Sequence, residues 1–189
     1  TGIKDGATWL HRGGEISKYL LLNYLALTDQ DLVLTDFALL DAVRNFTLGI
    51  YIDRASRVGE ILSMIEKSCH CFFSTDRETG KIRVRIYQEP NPADTGKAVL
   101  NSDNLFDFSV ETEDNLAYEV NVSYAKDQDS GESRQVSRVN LQSVYINDNE
   151  EGINVETYLV YKADAAALAD ILIPFHSKPR LVVKSETHI

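Results

Sequence analysis

Residues 56–87 read SRVGEILSMIEKSCHCFFSTDRETGKIRVRIY, and two different periodicities follow each other within this stretch. In its first part, apolar side chains recur three or four residues apart, at Val58, Ile61, Leu62, Ile65 and Cys69. This spacing places them along one side of a helix. We therefore predict a helix over Ser56–Cys69, with Ser56 as its N-cap.

The second part of the stretch predicts a β-hairpin. Cys71–Phe73 leads into a polar turn, Asp76–Gly80, and Lys81–Tyr87 returns. Apolar and basic residues alternate in the returning segment, which is the period of a strand with one buried face. The apolar face comprises Ile82, Val84 and Ile86, and the basic face comprises Lys81, Arg83 and Arg85.

Two more helices are predicted before this stretch. Glu15–Leu27 has apolar residues at helical spacing, and Gly13 and Gly14 are expected to break the chain before it. The second helix is predicted over Thr35–Phe46, capped by its first or second residue. Its buried stripe is predicted to comprise Leu39, Ala42, Val43 and Phe46.

Strand patterns dominate after residue 90. Gln88–Lys97 contains Pro90, Pro92 and Gly96 and has no apolar periodicity, which predicts a loop or linker. Beyond it we predict strands at Tyr118–Tyr124, Arg134–Leu141, Ile153–Tyr161 and Arg180–Thr187, and a helix over Asp164–Ile173 that Pro174 ends. The last two strands are expected to be neighbours in one sheet, joined through this helix.

The predicted fold class is α+β, with a helix-rich first half that includes a β-hairpin and a mostly antiparallel β second half with one helix. The chain of 189 residues is long enough for one large domain or two small ones. We predict a helix-rich α+β unit over residues 1–90 and an antiparallel β unit with one short helix over residues 98–189.

Composition and charge exclude several classes of function. Hydrophobic residues make up 43% of the chain, which disfavours disorder as its main state. Lysine and arginine total 19 against 29 acidic residues, a net charge of −10 that repels phosphate backbones and anionic membranes. No apolar run approaches the length of a membrane span, so we expect neither nucleic-acid binding nor membrane insertion. The chain lacks an initiating methionine and a signal peptide, and we expect it to be a piece of a longer protein.

The cluster Cys69-His70-Cys71 has the residue types of a metal site but not the number. A structural zinc site needs four ligands, commonly from two separated pairs. Because Cys69 also completes the helical stripe, core packing explains the cluster better. Two cysteines so close on one strand rarely form a disulfide, so we expect reduced thiols.

No other pattern predicts chemistry. Asp127, Asp129 and Gly131 faintly resemble a calcium loop. Counted from Asp127, however, the sixth and twelfth positions are Glu132 and Arg138, where an EF-hand loop requires glycine and glutamate. We therefore predict a hairpin turn at these residues. Neither a glycine-rich phosphate loop nor a nucleophile elbow is present in the sequence. We therefore predict no catalytic, cofactor-binding or metal-ligating residues and no cofactor.

The order of several segments carries a resemblance. The first half contains EISKYLLLNYL (15–25), LTDFALLDA (34–42) and GIYIDRASRVGEILSMIEKSCHCFFSTDRETGKIRVRI (49–86). The second half contains DNLAYEVNVSYAKDQDSGESRQVSRVN (114–140), INVETYLVYKADAAALADIL (153–172) and RLVVKSET (180–187). Together they resemble the tail-tip and baseplate-hub proteins of long-tailed bacteriophages and prophages. The resemblance lies in the pattern of segments and includes no catalytic signature.

The resemblance implies a virion structural protein that joins the tail tube to host-contacting parts and is not an enzyme. Its partners would be other tail proteins, and copies would assemble as a homo-oligomer, commonly a trimer. It would be made in the bacterial cytoplasm and located in the virion tail.

An alternative function is a cell-envelope carbohydrate-binding or glycan-hydrolysing module. The acidic charge and nine tyrosines would suit sugar binding. Tyr118, Tyr124 and Tyr161, however, are predicted on apolar strand faces, where core packing explains them first. An aromatic cleft with two facing carboxylates would favour this alternative.

Overall fold

A computed structural model describes residues 3–6, 8–50, 57–88, 106–113, 116–127, 129–142, 151–178 and 180–186. The helices in these ranges are α1 (Gly13–Tyr24), α2 (Leu34–Val43), α3 (Val58–Cys69) and α4 (Lys162–His176). The strands are β1 (Lys4–Asp5), β2 (Thr8–Trp9), β3 (Cys71–Thr75), β4 (Ile82–Ile86), β5 (Phe106–Glu113), β6 (Glu119–Tyr124), β7 (Arg134–Val139), β8 (Gly152–Val155) and β9 (Arg180–Glu186). This confirms the α+β class, with helices first, strands later and one helix near the end.

The strands of the described residues form small sheets. Antiparallel pairs join β1 to β2, β3 to β4 and β5 to β9, and a three-stranded sheet has the order β7-β6-β8. Within that sheet β6 runs antiparallel to β7 and parallel to β8. Among the strands that the structure describes, β8 pairs with β6 alone and so forms one edge of this sheet.

The predicted stripe of α3 is confirmed and forms part of the core. Ile61, Ile65 and Cys69 are buried, while Val58 and Leu62 pack against the core with partial exposure. The helix begins at Val58, two residues later than predicted, with Arg57 as its N-cap, and Ser56 lies outside the described residues. The hairpin that follows is also confirmed, with Phe73 opposite Val84.

Gly13 and Gly14 lie inside α1, so the prediction that they break the chain before the helix is wrong. Both are buried in its first turn. A Cβ atom on Gly13 would lie 2.7 Å from the Cys69 sulfur, and one on Gly14 would lie 2.2 Å from the Phe37 carbonyl oxygen. The glycines are therefore required by close packing of α1 against α2 and α3.

The carboxylate of Asp41 also holds α1 against α2. The backbone N–H groups of Gly14 and Glu15 donate to its two oxygens, at 2.6 and 3.0 Å. Asp41 lies on α2, and its charge complements the positive end of the α1 dipole. Burial raises the pKa of Asp41, and the hydrogen bond from Gly14 opposes that rise.

The predicted orientation of α2 is wrong for three of its four stripe residues. Phe46 is buried beyond the end of the helix, but Leu39, Ala42 and Val43 are exposed, and Phe37 and Leu40 face the core instead. The helix starts after Val33, without a side-chain cap from either predicted residue. Because its sequence is apolar on nearly all sides, periodicity alone could not identify the buried face.

The region around β8 differs most from its prediction. The predicted strand Ile153–Tyr161 keeps regular strand pairing only to Val155. Beyond it the buried Thr157 hydroxyl donates to the Ser123 carbonyl, and Leu159 forms an isolated bridge with Leu48. These tertiary contacts replace a continuous sheet ladder.

The prediction that the last two strands, now β8 and β9, are neighbours in one sheet is wrong. Strand β8 pairs with β6, whereas β9 pairs with β5. The linking helix is longer than predicted because Pro174 lies within it. Proline removes one N–H, but the Ser177 N–H still donates to the Ile173 carbonyl and extends the last turn.

Hydrogen bonds connect α3 and the segment after α2 to the segment around α4. The Tyr158 N–H donates to the Ser68 hydroxyl oxygen at 2.9 Å, and the Thr47 N–H donates to Asp164 Oδ2 at 2.8 Å. Buried residues from both halves of the chain belong to one hydrophobic cluster. The boundary between the units predicted at 1–90 and 98–189 lies outside the described residues. None of the described helices has the length and apolar character of a membrane span.

Replacing Ile61 with aspartate is expected to lower the free energy of unfolding by about 3–5 kcal/mol, because an unpaired carboxylate would enter the buried stripe of α3. Leu39→Asp is the matched control, since Leu39 is 54% exposed. We expect the control to change stability by less than about 0.5 kcal/mol. Denaturant titration followed by circular dichroism, at a protein concentration where the chain is monomeric, measures both, and equal losses would contradict the observed orientation of α2.

Gly14→Ala is expected to destabilise the protein by about 1–3 kcal/mol because the new methyl group would overlap the Phe37 carbonyl. Alanine favours a helix interior over glycine by about 1 kcal/mol, so propensity alone predicts the opposite sign. Gly59→Ala in α3 is the control, because no atom lies within 4 Å of its added Cβ. Thermal unfolding measures the change in stability of both variants, and a Gly14→Ala protein that is more stable than the parent would contradict the proposed overlap.

Candidate functional site

A groove lies between α3 and β8, with a volume of about 670 Å³. That volume falls within the range of about 300–1,000 Å³ typical of ligand sites. Its lining comes from four parts of the chain: α3, the start of β3 with Tyr87, the β8 segment and α4. The groove therefore exists only after both halves of the chain have come together.

Helix α3 contributes one polar wall. Ser63, Glu66, Lys67 and His70 line the groove, and they recur at the three- and four-residue spacing of one helical face. Glu66 is held in place because its Oε1 accepts a hydrogen bond from the Phe73 N–H at 2.8 Å. The wall thus presents a fixed carboxylate beside a lysine.

His70 ends α3 in the left-handed conformation, with φ of 50°. Its N–H donates to the Glu66 carbonyl, and its own carbonyl accepts from the Tyr87 N–H at 3.0 Å. This turn directs the chain from α3 straight into β3. It also places the His70 ring at the groove.

Aromatic rings form one end of the groove. The Tyr87 ring centroid lies 4.8 Å from that of His70, 4.9 Å from that of Phe72 and 6.0 Å from that of Phe175. The rings meet at tilted or edge-on angles, the geometry that aromatic pairs prefer. Tyr87 is 41% exposed, so the cluster presents part of an aromatic surface to solvent.

The β8 segment forms the opposite wall. Four consecutive residues, Ile153, Asn154, Val155 and Glu156, line the groove. Consecutive strand residues point to opposite faces of a sheet, so a lining that includes all of them indicates that the strand edge adjoins the cavity. The groove therefore has a backbone edge on one side and a helix face on the other.

The two cysteines behave as core residues. Cys69 and Cys71 are free and buried. Burial raises the pKa of Cys69 to about 12 and also raises the pKa of Cys71, while the Arg44 guanidinium acts in the opposite direction. Within the described ranges no three His, Cys, Asp or Glu side chains are grouped as metal ligands would be.

The other residues considered in the sequence occupy structural positions. Asp127 Oδ1 accepts from the Asp129 and Ser130 N–H groups, which confirms the predicted hairpin turn. Tyr124 is buried as predicted, but Tyr161 is 57% exposed because the strand on which its burial depended ends at Val155.

A second surface is the outer side of α2, which we call the α2 outer face. It comprises Leu34, Thr35, Ala38, Leu39, Ala42 and Val43, all exposed. At 100° per residue these positions cover one contiguous half of the helix. An uncharged, mainly aliphatic helix face in contact with water is unusual for a surface helix and indicates a contact surface.

Sequence patterns did not identify the groove. Its α3 wall looks like an ordinary solvent-facing side of an amphipathic helix, and β8 was predicted as part of a longer strand. The one available signal was His70, which stood out only as part of the cysteine cluster. Neither Tyr87 nor Glu156 carries any local pattern that would associate it with α3.

Both native thiols are expected to resist alkylation at about pH 8, because burial excludes the reagent and the raised thiol pKa leaves little thiolate. Denaturant should make both react. Mass spectrometry after iodoacetamide treatment measures the modification, and a Val43→Cys variant provides an exposed thiol as a positive control. Rapid native modification of Cys69 would show that this part of the core opens readily.

Comparison with known proteins assigns no family to this arrangement. No protein-family model matches the sequence, and no curated protein gives a significant match.

Proposed function

We propose that this chain is a structural segment of a bacteriophage or prophage tail, located in the tail tip or baseplate hub, where it joins the tail tube to host-contacting parts. The order of its helical and strand segments supports the assignment. The single observation that carries an assembly role is the α2 outer face, where aliphatic side chains that the sequence suggested for the core lie in water.

The α2 outer face suits contact between copies of the chain. It carries no charged side chain, so a neighbouring copy can cover it without burying a carboxylate. A ring requires two different patches of each copy to meet, and a trimer is the arrangement proposed here. The net charge of −10 opposes association at low salt, whereas apolar contact persists when salt screens the charges.

The proposed role depends on surfaces and involves no catalysis. Glycan binding, the alternative, would use the groove, where Glu66 and Glu156 come from opposite walls and Tyr87 supplies an aromatic ring. The Tyr87 ring, however, contacts His70, Phe72 and Phe175, which reduces the open ring face available for stacking on a sugar. The α2 outer face has no role in glycan binding, so we favour the assembly role.

An antibody raised against the chain is expected to label one end of the tail in electron micrographs of phage particles from the organism that encodes it. Pre-incubation of the antibody with purified chain should abolish the labelling. If particles with intact tails do not contain the chain, the tail assignment is wrong.

Leu39→Asp is expected to weaken self-association of the chain at least about tenfold, because it places a carboxylate in the contact. Leu141→Asp is the matched control, since Leu141 is 66% exposed and lies outside the α2 outer face. Sedimentation velocity over a range of protein and salt concentrations measures both, with association of the parent chain increasing as salt rises. Equal weakening by both variants, or stronger association at low salt, would contradict the proposed contact.

A further inference from the structure

The groove combines three features that suit one kind of ligand. It has an unshared strand edge in the described sheet, an aromatic end and a rim that carries carboxylates. We propose that it binds an extended peptide segment of a partner protein, which adds to β8 as a further strand and carries alternating apolar and basic side chains. This inference is independent of the tail assignment.

The edge of β8 supplies the main-chain part of the recognition. Strand β8 pairs with β6 along one edge, over Gly152–Val155, and its other edge adjoins the groove. An edge strand presents N–H and C=O groups that can pair with an added strand, and several peptide-binding domains use this mode. Helix α3 forms the facing wall, so an extended chain can reach the edge more readily than a folded surface.

The side chains of an added peptide strand would alternate between two faces, and the groove offers two kinds of lining, apolar and charged. Successive side chains of an added strand would point to opposite faces. One set would meet the partly exposed apolar side chains of Phe72 and Val155, and the other would meet the charged rim. The ligand should therefore alternate in character.

Charge selects a basic partner. Among the described residues that line the groove, Glu66 and Glu156 carry carboxylates and Lys67 carries an ammonium group. Attraction between such a rim and lysine or arginine side chains favours their encounter and fixes the register of the peptide.

A second copy of this chain is a poor source for that peptide. Its net charge is −10, so a copy is repelled from an acidic rim. Its segment of alternating apolar and basic residues, Lys81–Ile86, is already engaged, because β4 pairs with β3 and Arg83 bonds to Asp36 and Asp76. The occupant is therefore a different protein.

The probe is a fluorescent hexapeptide of alternating lysine and valine with blocked ends, because four residues of β8 span about 13 Å at about 3.3 Å per residue. Fluorescence anisotropy at about 0.15 M salt, where distant charges are screened, measures its affinity. Hydrogen exchange measured with and without the peptide should show slower exchange in Gly152–Glu156. Two further hexapeptides carry N-methyl groups on one or the other alternating set of amides, with side chains and charge unchanged.

Two substitutions test the side-chain part of the site. Tyr87→Ala and Glu156→Lys are each expected to weaken binding by about tenfold. Their matched controls are Tyr161→Ala and Glu132→Lys, which alter exposed residues of the same types outside the groove. Thermal melts verify that all four variants fold.

The expected result is binding of the parent peptide, loss of about tenfold or more with at least one N-methylated peptide, and unchanged affinity for the control variants. Equal binding of all three peptides would overturn strand addition. Equal effects of groove and control substitutions would overturn the location. No binding at millimolar peptide, or Tyr87-dependent binding of chitotetraose in its place, would overturn the proposal, the latter in favour of a glycan.

Discussion

The close approach of α1 to α2 and α3 at Gly13 and Gly14 is the constraint on which the rest of the structure depends. Without side chains at these positions, the first turn of α1 reaches the Cys69 sulfur and the Phe37 carbonyl. The Asp41 carboxylate then accepts hydrogen bonds from the Gly14 and Glu15 N–H groups of that turn. Any larger residue would separate the helices and open voids around Leu40 and Ile65, which are fully buried. The glycines cost conformational entropy, and this packing compensates for that cost.

The position of α3 in turn determines the groove. The end of the helix is fixed at Cys69, and His70 turns the chain into β3 at that point. Ser68 accepts a hydrogen bond from Tyr158, which brings the segment after β8 against the same helix end. The polar wall on α3 and the backbone edge of β8 therefore face a common space, although almost ninety residues separate them in sequence. Two buried features, a close-packed helix end and one hydrogen bond, thus position a solvent-facing site.

The two candidate surfaces have different physical character, and this separates their roles. The α2 outer face is uncharged and aliphatic, so it suits a contact that buries area without burying charge. The groove is mixed: an aromatic end, carboxylates on both walls and a strand edge favour a directional, charge-dependent ligand. Under the assembly role proposed above, the α2 outer face would hold copies together and the groove would recognise a partner segment.

The sequence by itself determined the elements whose pattern has one interpretation. The stripe of α3, the alternation of β4 and that of β6 each separate apolar from polar residues clearly, so burial followed directly from spacing. Only the tertiary structure decided the orientation of α2, the role of Gly13 and Gly14, the end of β8 at Val155 and the passage of α4 through Pro174. An apolar helix has no preferred side until a neighbour covers one, and a glycine can break a helix or allow close packing. The groove belongs to this second group, because its walls are joined by contacts between distant segments that no local pattern encodes.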